Sequence, residues 1–261
     1  MTENGSQLNG KVALVTGAGS ATGIGRAIAS SFGHAGASVV LADVDIDGAM
    51  RNASDLAAEG IETFAVAIDV TQESSVSQAF AEAESRFGRV DILVNNAGIT
   101  SSTKLAELTV AEFDRVMAIN LRGGYLCLRA AMPGMMERRF GRVIWLSSIA
   151  GKQGGGVFGT THYAASKAGV IGLCQGAARE LGPFGITSNA IAPSFVASGL
   201  IARTASAEAE RELDERNRAQ APLRRSATTA DIAGAALFLA SDAASYITGE
   251  IMDVNGGQYF D

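Results

Sequence analysis

The chain has 261 residues, with 21 Lys+Arg against 27 Asp+Glu, a net charge of −6, 47% apolar residues and only 18% charged ones. The acidic balance and the lack of any basic run argue against a nucleic-acid partner. The longest apolar run, Ile232 to Ala240, falls far short of the ~18 residues that a membrane span needs.

Glycine is the outlier of the composition, with 31 residues beside only 4 prolines. That is about 12% against a typical ~7%, and it points to places where backbone must approach something closely. The stretch Met1–Gly10 is polar and lacks the basic and apolar regions of a signal peptide, which predicts a cytoplasmic protein. Cys127 and Cys174 lie in apolar helical patterns and read as buried free thiols rather than a disulfide. An α/β chain of this length often forms one domain, and no linker composition divides it, so residues 1–261 read as one unit.

In chain order, Lys11–Thr16 is a short apolar strand ending in glycines. Ile24–Gly36 reads as a helix with Ile24, Ala27, Ile28 and Phe32 on one face. Strand Ser38–Asp43, a helix from Asp47 to Glu59 and strand Thr63–Ile68 follow. Val76, Ala79, Phe80, Ala83 and Phe87 recur at helical spacing. Val90–Asn95 is a strand, and Thr109 with Glu112 forms a capping box opening a long helix. Strand Arg142–Ser147, helix His162–Leu181, strand Ile186–Ile191 and a polar helix Ser206–Arg218 come next. Thr228 and Asp231 cap a last helix, and Glu250–Val254 closes the chain. Strands alternating with helices predict βαβ units, a parallel sheet and helices on both faces. The strands are apolar without alternation, as a sheet buried on both faces requires.

The first strand runs into Thr16-Gly-Ala-Gly-Ser-Ala-Thr-Gly-Ile-Gly25 and then a helix. Glycines permit the tight turn and a close approach to a pyrophosphate, while the helix N-terminus offers free N–H groups. Such a turn alone also serves plain packing. Asp43, at the end of the second strand, tips the balance: a carboxylate there accepts hydrogen bonds from the adenosine ribose hydroxyls and repels a 2′-phosphate. No Lys or Arg lies within Gly17–Gly25, so the expected cofactor is NAD. Tyr163 and Lys167 stand at i and i+4 on one helix. A phenol titrates near 10 and is a poor base at neutral pH. A nearby ammonium would lower that value and make proton exchange with an alcohol feasible. Two histidines far apart and no cysteine cluster give no support to a metal.

These motifs together resemble the short-chain dehydrogenase/reductase family. The likeness includes Thr16–Gly25, Asp43, Asp69-Val70, Asn95-Asn96-Ala97-Gly98, Asn120, Ser147-Ser148, Tyr163-x-x-x-Lys167, Asn189 and Pro193-Ser-Phe-Val196, and it spans essentially the whole chain. It implies a three-layer α/β/α Rossmann fold with a doubly wound parallel sheet of about seven strands. It implies Tyr163 as general acid/base, with hydride moving between a carbinol carbon and the nicotinamide. Lys167 would hold the nicotinamide ribose, Ser148 the substrate oxygen, and Asn120 a water leading to solvent. Gly17, Gly19, Thr22, Gly23 and Ile24 would meet the diphosphate. Asp69 and Val70 would border the adenine, Asn96, Ala97 and Gly98 would pass along the cofactor, and Pro193, Val196 and Ser198 would meet the carboxamide end. Asn95 and Ser147 would be structural, and His162 a rim or surface residue. Residues 194–225 would cover the substrate, and the family analogy implies a homotetramer built on the helices near Asn120 and Tyr163 and on the last helix and strand.

Two departures stand out. The glycine turn is two residues longer than the family usually has, and the segment from Ser148 to Tyr163 is also longer and carries Gly154, Gly155 and Gly156. The expected reaction is interconversion of a secondary alcohol and a ketone. A polyol or sugar alcohol is suggested by Ser101, Gln153, Thr160, Thr161 and His162 around the pocket. A 3-oxoacyl thioester is the alternative, which Asp43 opposes because biosynthetic reductases of the family usually take the phosphorylated cofactor. A non-catalytic dinucleotide-binding sensor or scaffold is the reading from another class.

Overall fold

A computed structural model describes residues 7–155, 160–196 and 207–260. Seven strands form one all-parallel sheet in the order β3-β2-β1-β4-β5-β6-β7. They are β1 (Val12–Thr16), β2 (Ser38–Asp43), β3 (Thr63–Ala67), β4 (Ile92–Asn95), β5 (Gly141–Leu146), β6 (Ile186–Pro193) and β7 (Ile251–Val254). The chain steps outward from β1 to β3 and then returns to place β4 on the other side of β1. That reversal opens a crevice beyond the C-terminal strand ends, where doubly wound sheets bind ligands.

Successive residues of β1 feed opposite faces, as the strand pleat dictates. Ala13 and Val15 pack with α1 (Ile24–His34), α2 (Ile46–Ala58) and α9 (Thr229–Ala240), through Ile28, Phe32, Leu56, Ile232 and Leu239. Val12 and Leu14 pack toward α3 (Glu73–Phe87), α5 (Gly123–Arg138) and α7 (Thr161–Leu181), through Phe80, Leu126, Met135, Trp145 and Cys174. This is the three-layer α/β/α Rossmann arrangement. Both cysteines are buried and free.

Three local features differ from the sequence reading. The long helix after Thr109 is α4 (Val110–Met117), one π turn (Ala118–Arg122) and α5. The widened turn carries the buried Asn120, and such turns recur at functional sites. The capping box there is half formed: Thr109 accepts the Glu112 N–H at 3.2 Å, but the Glu112 carboxylate turns to Ser101 and Thr103. At Thr228 and Asp231 the box is complete. Finally, the glycine-rich segment after Ser148 holds a short helix, α6 (Ala150–Gln153). The polar helix near the C-terminus is α8 (Ala207–Gln220).

Candidate active site

The turn after β1 is tied to the end of β4. The Asn96 amide donates to the carbonyls of Thr16 and Gly17 at 2.8 and 2.9 Å. The Thr16 hydroxyl accepts the N–H groups of Asn96 and Ala97 at 3.1 and 3.0 Å. Gly17 has φ +69°, and a Cβ on it would stand 2.8 Å from the Ala97 Cα. At Gly25 a Cβ would lie 2.5 Å from the Gly17 carbonyl oxygen. The absent side chains are what let these backbones meet.

The lengthened part of the turn is clamped from α2, which sequence reading missed. Asn52 is 1% exposed, and its amide donates to the carbonyls of Ala18 at 2.7 Å and Ser20 at 3.3 Å. Gly48 lies so close to this loop that a Cβ on it would reach 2.5 Å from the Gly19 carbonyl oxygen. The Gly19 N–H donates to Asp43 Oδ2 at 2.7 Å, and the Asp45 N–H to Oδ1 at 2.9 Å. Asp43 is thus aimed by two backbone donors, and each oxygen keeps a lone pair for another partner.

At the other end of the crevice, the Ser147 hydroxyl donates to the Lys167 carbonyl at 2.9 Å, fixing α7 to the end of β5. A Cβ on Gly151 would meet the Lys167 carbonyl carbon at 2.7 Å, so a glycine here lets α6 lie against α7. Ser148 accepts the Ala150 N–H at 3.1 Å and hydrogen-bonds the Tyr163 phenol. Lys167 is 5% exposed, donates to the Leu146 carbonyl at 2.6 Å, and places its Nζ 5.7 Å from the centroid of the Tyr163 ring. Burial draws the Lys167 ammonium down to about 8. Burial also raises the Tyr163 phenol above its ordinary value, against the smaller lowering effect of the Ser148 bond. The lowering of the phenol expected from Lys167 is therefore not found, and desolvation sets the direction among the protein groups themselves.

Asn120 braces its surroundings. Its Oδ1 accepts the Ile99 N–H at 2.8 Å, and its Nδ2 donates to the Ile99 carbonyl at 2.9 Å and to Ser166 Oγ at 3.0 Å. Asn95 is buried, and its side-chain amide finds no protein partner among the described residues.

One cavity of about 1330 Å³ joins the two ends. Gly17, Gly19, Gly23, Ile24, Asp43, Asp69, Val70, Asn96, Ala97, Gly98, Ser148, Tyr163, Lys167, Pro193 and Val196 all line it. Thr22 does not; its neighbour Ser20 does, because the longer turn shifts which residues face the crevice. Asn120 stands behind the lining, and Ser198 lies outside the described residues. The glycine cradle, the acid at one end and the Ser–Tyr–Lys group at the other fit an extended dinucleotide with its reacting end at Tyr163.

The polar residues expected around a polyol are mostly drawn elsewhere. Ser101 and Thr103 hydrogen-bond Glu112, whose carboxyl they hold below its usual range. Thr160 donates to the Ser101 carbonyl at 3.1 Å. His162 is fully buried rather than at the rim or surface, with Nδ1 3.2 Å from Thr160 Oγ1 and Nε2 3.8 Å from Glu112 Oε1. The hydroxyls of Ser101, Thr103 and Thr160 are engaged within this cluster, while His162 Nε2 has no hydrogen-bond partner among the described residues, and of the five residues only Gln153 lines the cavity.

The family model described as enoyl-(acyl carrier protein) reductase matches residues 17–258. The chain belongs to the short-chain dehydrogenase/reductase family. It is 42% identical over 253 residues to a 3-oxoacyl-acyl-carrier-protein reductase (FabG) of Staphylococcus aureus, covering 95% of this chain and 98% of that one. It is 38% identical over 251 residues to an uncharacterized short-chain type dehydrogenase/reductase of Sinorhizobium fredii, covering 96% and 98%. Among solved structures, a putative gluconate dehydrogenase from Agrobacterium tumefaciens superposes with a TM-score of 0.90 at 31% identity, over 97% of each chain. Membership makes the chain an oxidoreductase of CH–OH groups that uses a nicotinamide dinucleotide, which sets aside the sensor or scaffold reading. Among the described residues no helix is long and apolar enough to cross a membrane, and no group of His, Cys, Asp and Glu is arranged to hold a metal ion.

Proposed function

We propose that the chain interconverts a secondary alcohol and a ketone with NAD, and that Tyr163 is its general acid/base. The observation that carries this reading is the Tyr163 phenol bonded to Ser148, with Lys167 behind the ring, in the same cavity as Asp43. Bound there, the cofactor would supply the hydride acceptor or donor and, when oxidised, a positive charge that favours the phenolate. Tyr163 Oη takes the hydroxyl proton in oxidation and returns it in reduction. The Ser148 hydroxyl holds the substrate oxygen and stabilises charge as it develops. Lys167 Nζ binds the nicotinamide ribose. Asn120 Oδ1 and Lys167 Nζ flank Gly98, 3.4 and 3.6 Å from where a Cβ would stand, which suits a water passing a proton toward solvent. Ser20, which lines the cavity, takes the place expected of Thr22 at the diphosphate, and Ser198 is the proposed contact to the carboxamide. NAD is favoured over NADP because Asp43 would face a 2′-phosphate with like charge and the turn offers no Lys or Arg.

A 3-oxoacyl thioester is the second reading for the substrate, favoured by the 42% identity to the Staphylococcus aureus reductase. A polyol or sugar alcohol keeps Gln153 and the likeness to the putative gluconate dehydrogenase as its support. We place the protein in the cytoplasm. We also propose a homotetramer, with one interface over the apolar hollow of Met117, Leu121, Tyr125, Gly169 and Leu173 and another on the face carrying Phe238 and Tyr246.

The test is a panel of polyols, cyclic ketones and acetoacetyl thioesters with NAD and NADP, following absorbance of the reduced cofactor. Tyr163→Phe should lower kcat/KM by about 10²–10⁴-fold while NADH still binds. Full activity in that variant would remove the assignment, and a preference for NADP would overturn the role given to Asp43.

A further inference from the structure

The charged side chains lining the cavity all have partners, with one exception. Asp43 accepts from Gly19 and Asp45, Asp45 from Gly48, and Asp69 from Thr71. Lys167 donates to the Leu146 carbonyl, and Arg115 lies in the field of Glu112. Arg216 alone has neither a hydrogen bond nor an acidic partner among the described residues.

Arg216 is exposed, but it also lines the cavity. Leu213, Arg216, Asn217 and Gln220 recur at i, i+3, i+4 and i+7 on α8, and this face lines the cavity together with Ser148 and Tyr163. The neighbouring charges of α8 pair along other faces, Arg211 with Glu208 and Arg218 with Asp214. Glu212 stands four residues before Arg216, the spacing that favours a helical ion pair, yet it makes none with it. Asn217 is held by Ser226 and Gln258 at 2.9 and 2.7 Å, which steadies this part of the helix. The three carboxylates of the lining, Asp43, Asp45 and Asp69, stand at the end of β2 and in the turns after β2 and β3, so the α8 face of the cavity carries an uncompensated positive charge.

We propose that Arg216 recognises an anionic group on the substrate, so that the ketone or alcohol is an oxo or hydroxy compound bearing a carboxylate or a phosphate. A guanidinium offers a planar fork of donors that matches either group in a bidentate manner. The proposal deepens the reaction argued above and rests on it for the position of the reacting carbon.

The test is binding of matched oxo probes to the NAD+-loaded protein by isothermal titration, since the keto carbon of each probe can take no hydride from an oxidised cofactor. The pairs are acetoacetate with methyl acetoacetate, and dihydroxyacetone phosphate with dihydroxyacetone. At least one charged probe should bind about tenfold or more tightly than its neutral counterpart, as a charge-assisted hydrogen bond implies. The pair with the larger ratio identifies carboxylate or phosphate. Arg216→Gln should erase the ratio without changing NAD affinity, and Arg216→Glu should reverse it. Equal binding within both pairs, binding of none of the four, or a ratio that survives Arg216→Gln overturns the proposal. A ratio that behaves as expected in a protein that turns over no alcohol or ketone would instead sink the proposed reaction.

Discussion

Asn52 offers a test of how the lengthened glycine turn is kept in shape. It sits on α2, outside every motif of the family, and its side chain reaches the two carbonyls of Ala18 and Ser20. In Asn52→Ala both bonds go. Ser20 is exposed and its carbonyl can turn to water, whereas Ala18 is fully buried, so its carbonyl loses a 2.7 Å bond with little to replace it. A buried acceptor left unsatisfied costs about 1–3 kcal/mol. If the clamp serves only the fold, that cost lowers Tm by about 2–4 °C per kcal/mol and leaves cofactor affinity alone. If it holds the turn ready for the diphosphate, much of the cost appears in binding, where about 1.4 kcal/mol is a factor of ten. The expected result is a KM for NAD raised about five- to thirtyfold, with kcat within about twofold of the parent, because an interaction uniform between ground and transition states changes KM alone. Asn52→Asp should be worse, because it sets a carboxylate against two carbonyl oxygens. Steady-state kinetics in NAD, paired with fluorescence titration of NADH and a melting curve, read all three quantities. A lowered Tm with unchanged NAD affinity would refute the reasoning.

Two further predictions concern the same crevice. Gly25→Ala places a methyl 2.5 Å from the Gly17 carbonyl oxygen and 2.7 Å from Asn96 Nδ2, so the turn must shift; NADH affinity should fall about tenfold or more while the circular dichroism spectrum is kept, and parental affinity would count against the cradle. Lys167 titrates near 8 in the folded chain because it is buried, against ~10.4 unfolded. Between those values the unfolded chain binds this proton more, so the contribution of Lys167 to stability rises as pH goes from about 8 to about 10. The thiols of Cys127 and Cys174, pushed up to about 12 by burial, oppose it above their unfolded value of ~8.5, and the raised Tyr163 phenol opposes it above about pH 10. The two thiols are common to the parent and Lys167→Met, so the Tm difference between them should shift in the parent's favour from about pH 8 to about pH 10, and a difference that stays constant across the window would refute the burial argument.

Fold and site were readable in the sequence to different depths, for a physical reason. The parallel sheet follows from apolar runs of β1, β2 and β5 set between helical periods, signals that each lie within a few residues. The glycine turn, Asp43 and the Tyr163–Lys167 pair are likewise short-range patterns, and the fold brings them to one cavity. What sequence reading missed depends on pairing across long separations. Ser101, Thr160 and His162 looked available for a substrate until β4, α4 and α7 came together around Glu112, a carboxylate that a local rule had assigned to its own helix cap. Once Glu112 turned to Ser101 and Thr103, it left the helix end and gathered these hydroxyls away from the crevice. The polar chemistry left for the substrate is then that of α6 and α8: Gln153, Gln220 and Arg216. The sequence shows α8 only as a polar helix, and it is the cavity lining formed by one of its faces that gives Arg216 a different meaning. Substrate choice in this chain therefore lies in the elements whose sequence signal is weakest, while the shared chemistry lies in those whose signal is strongest.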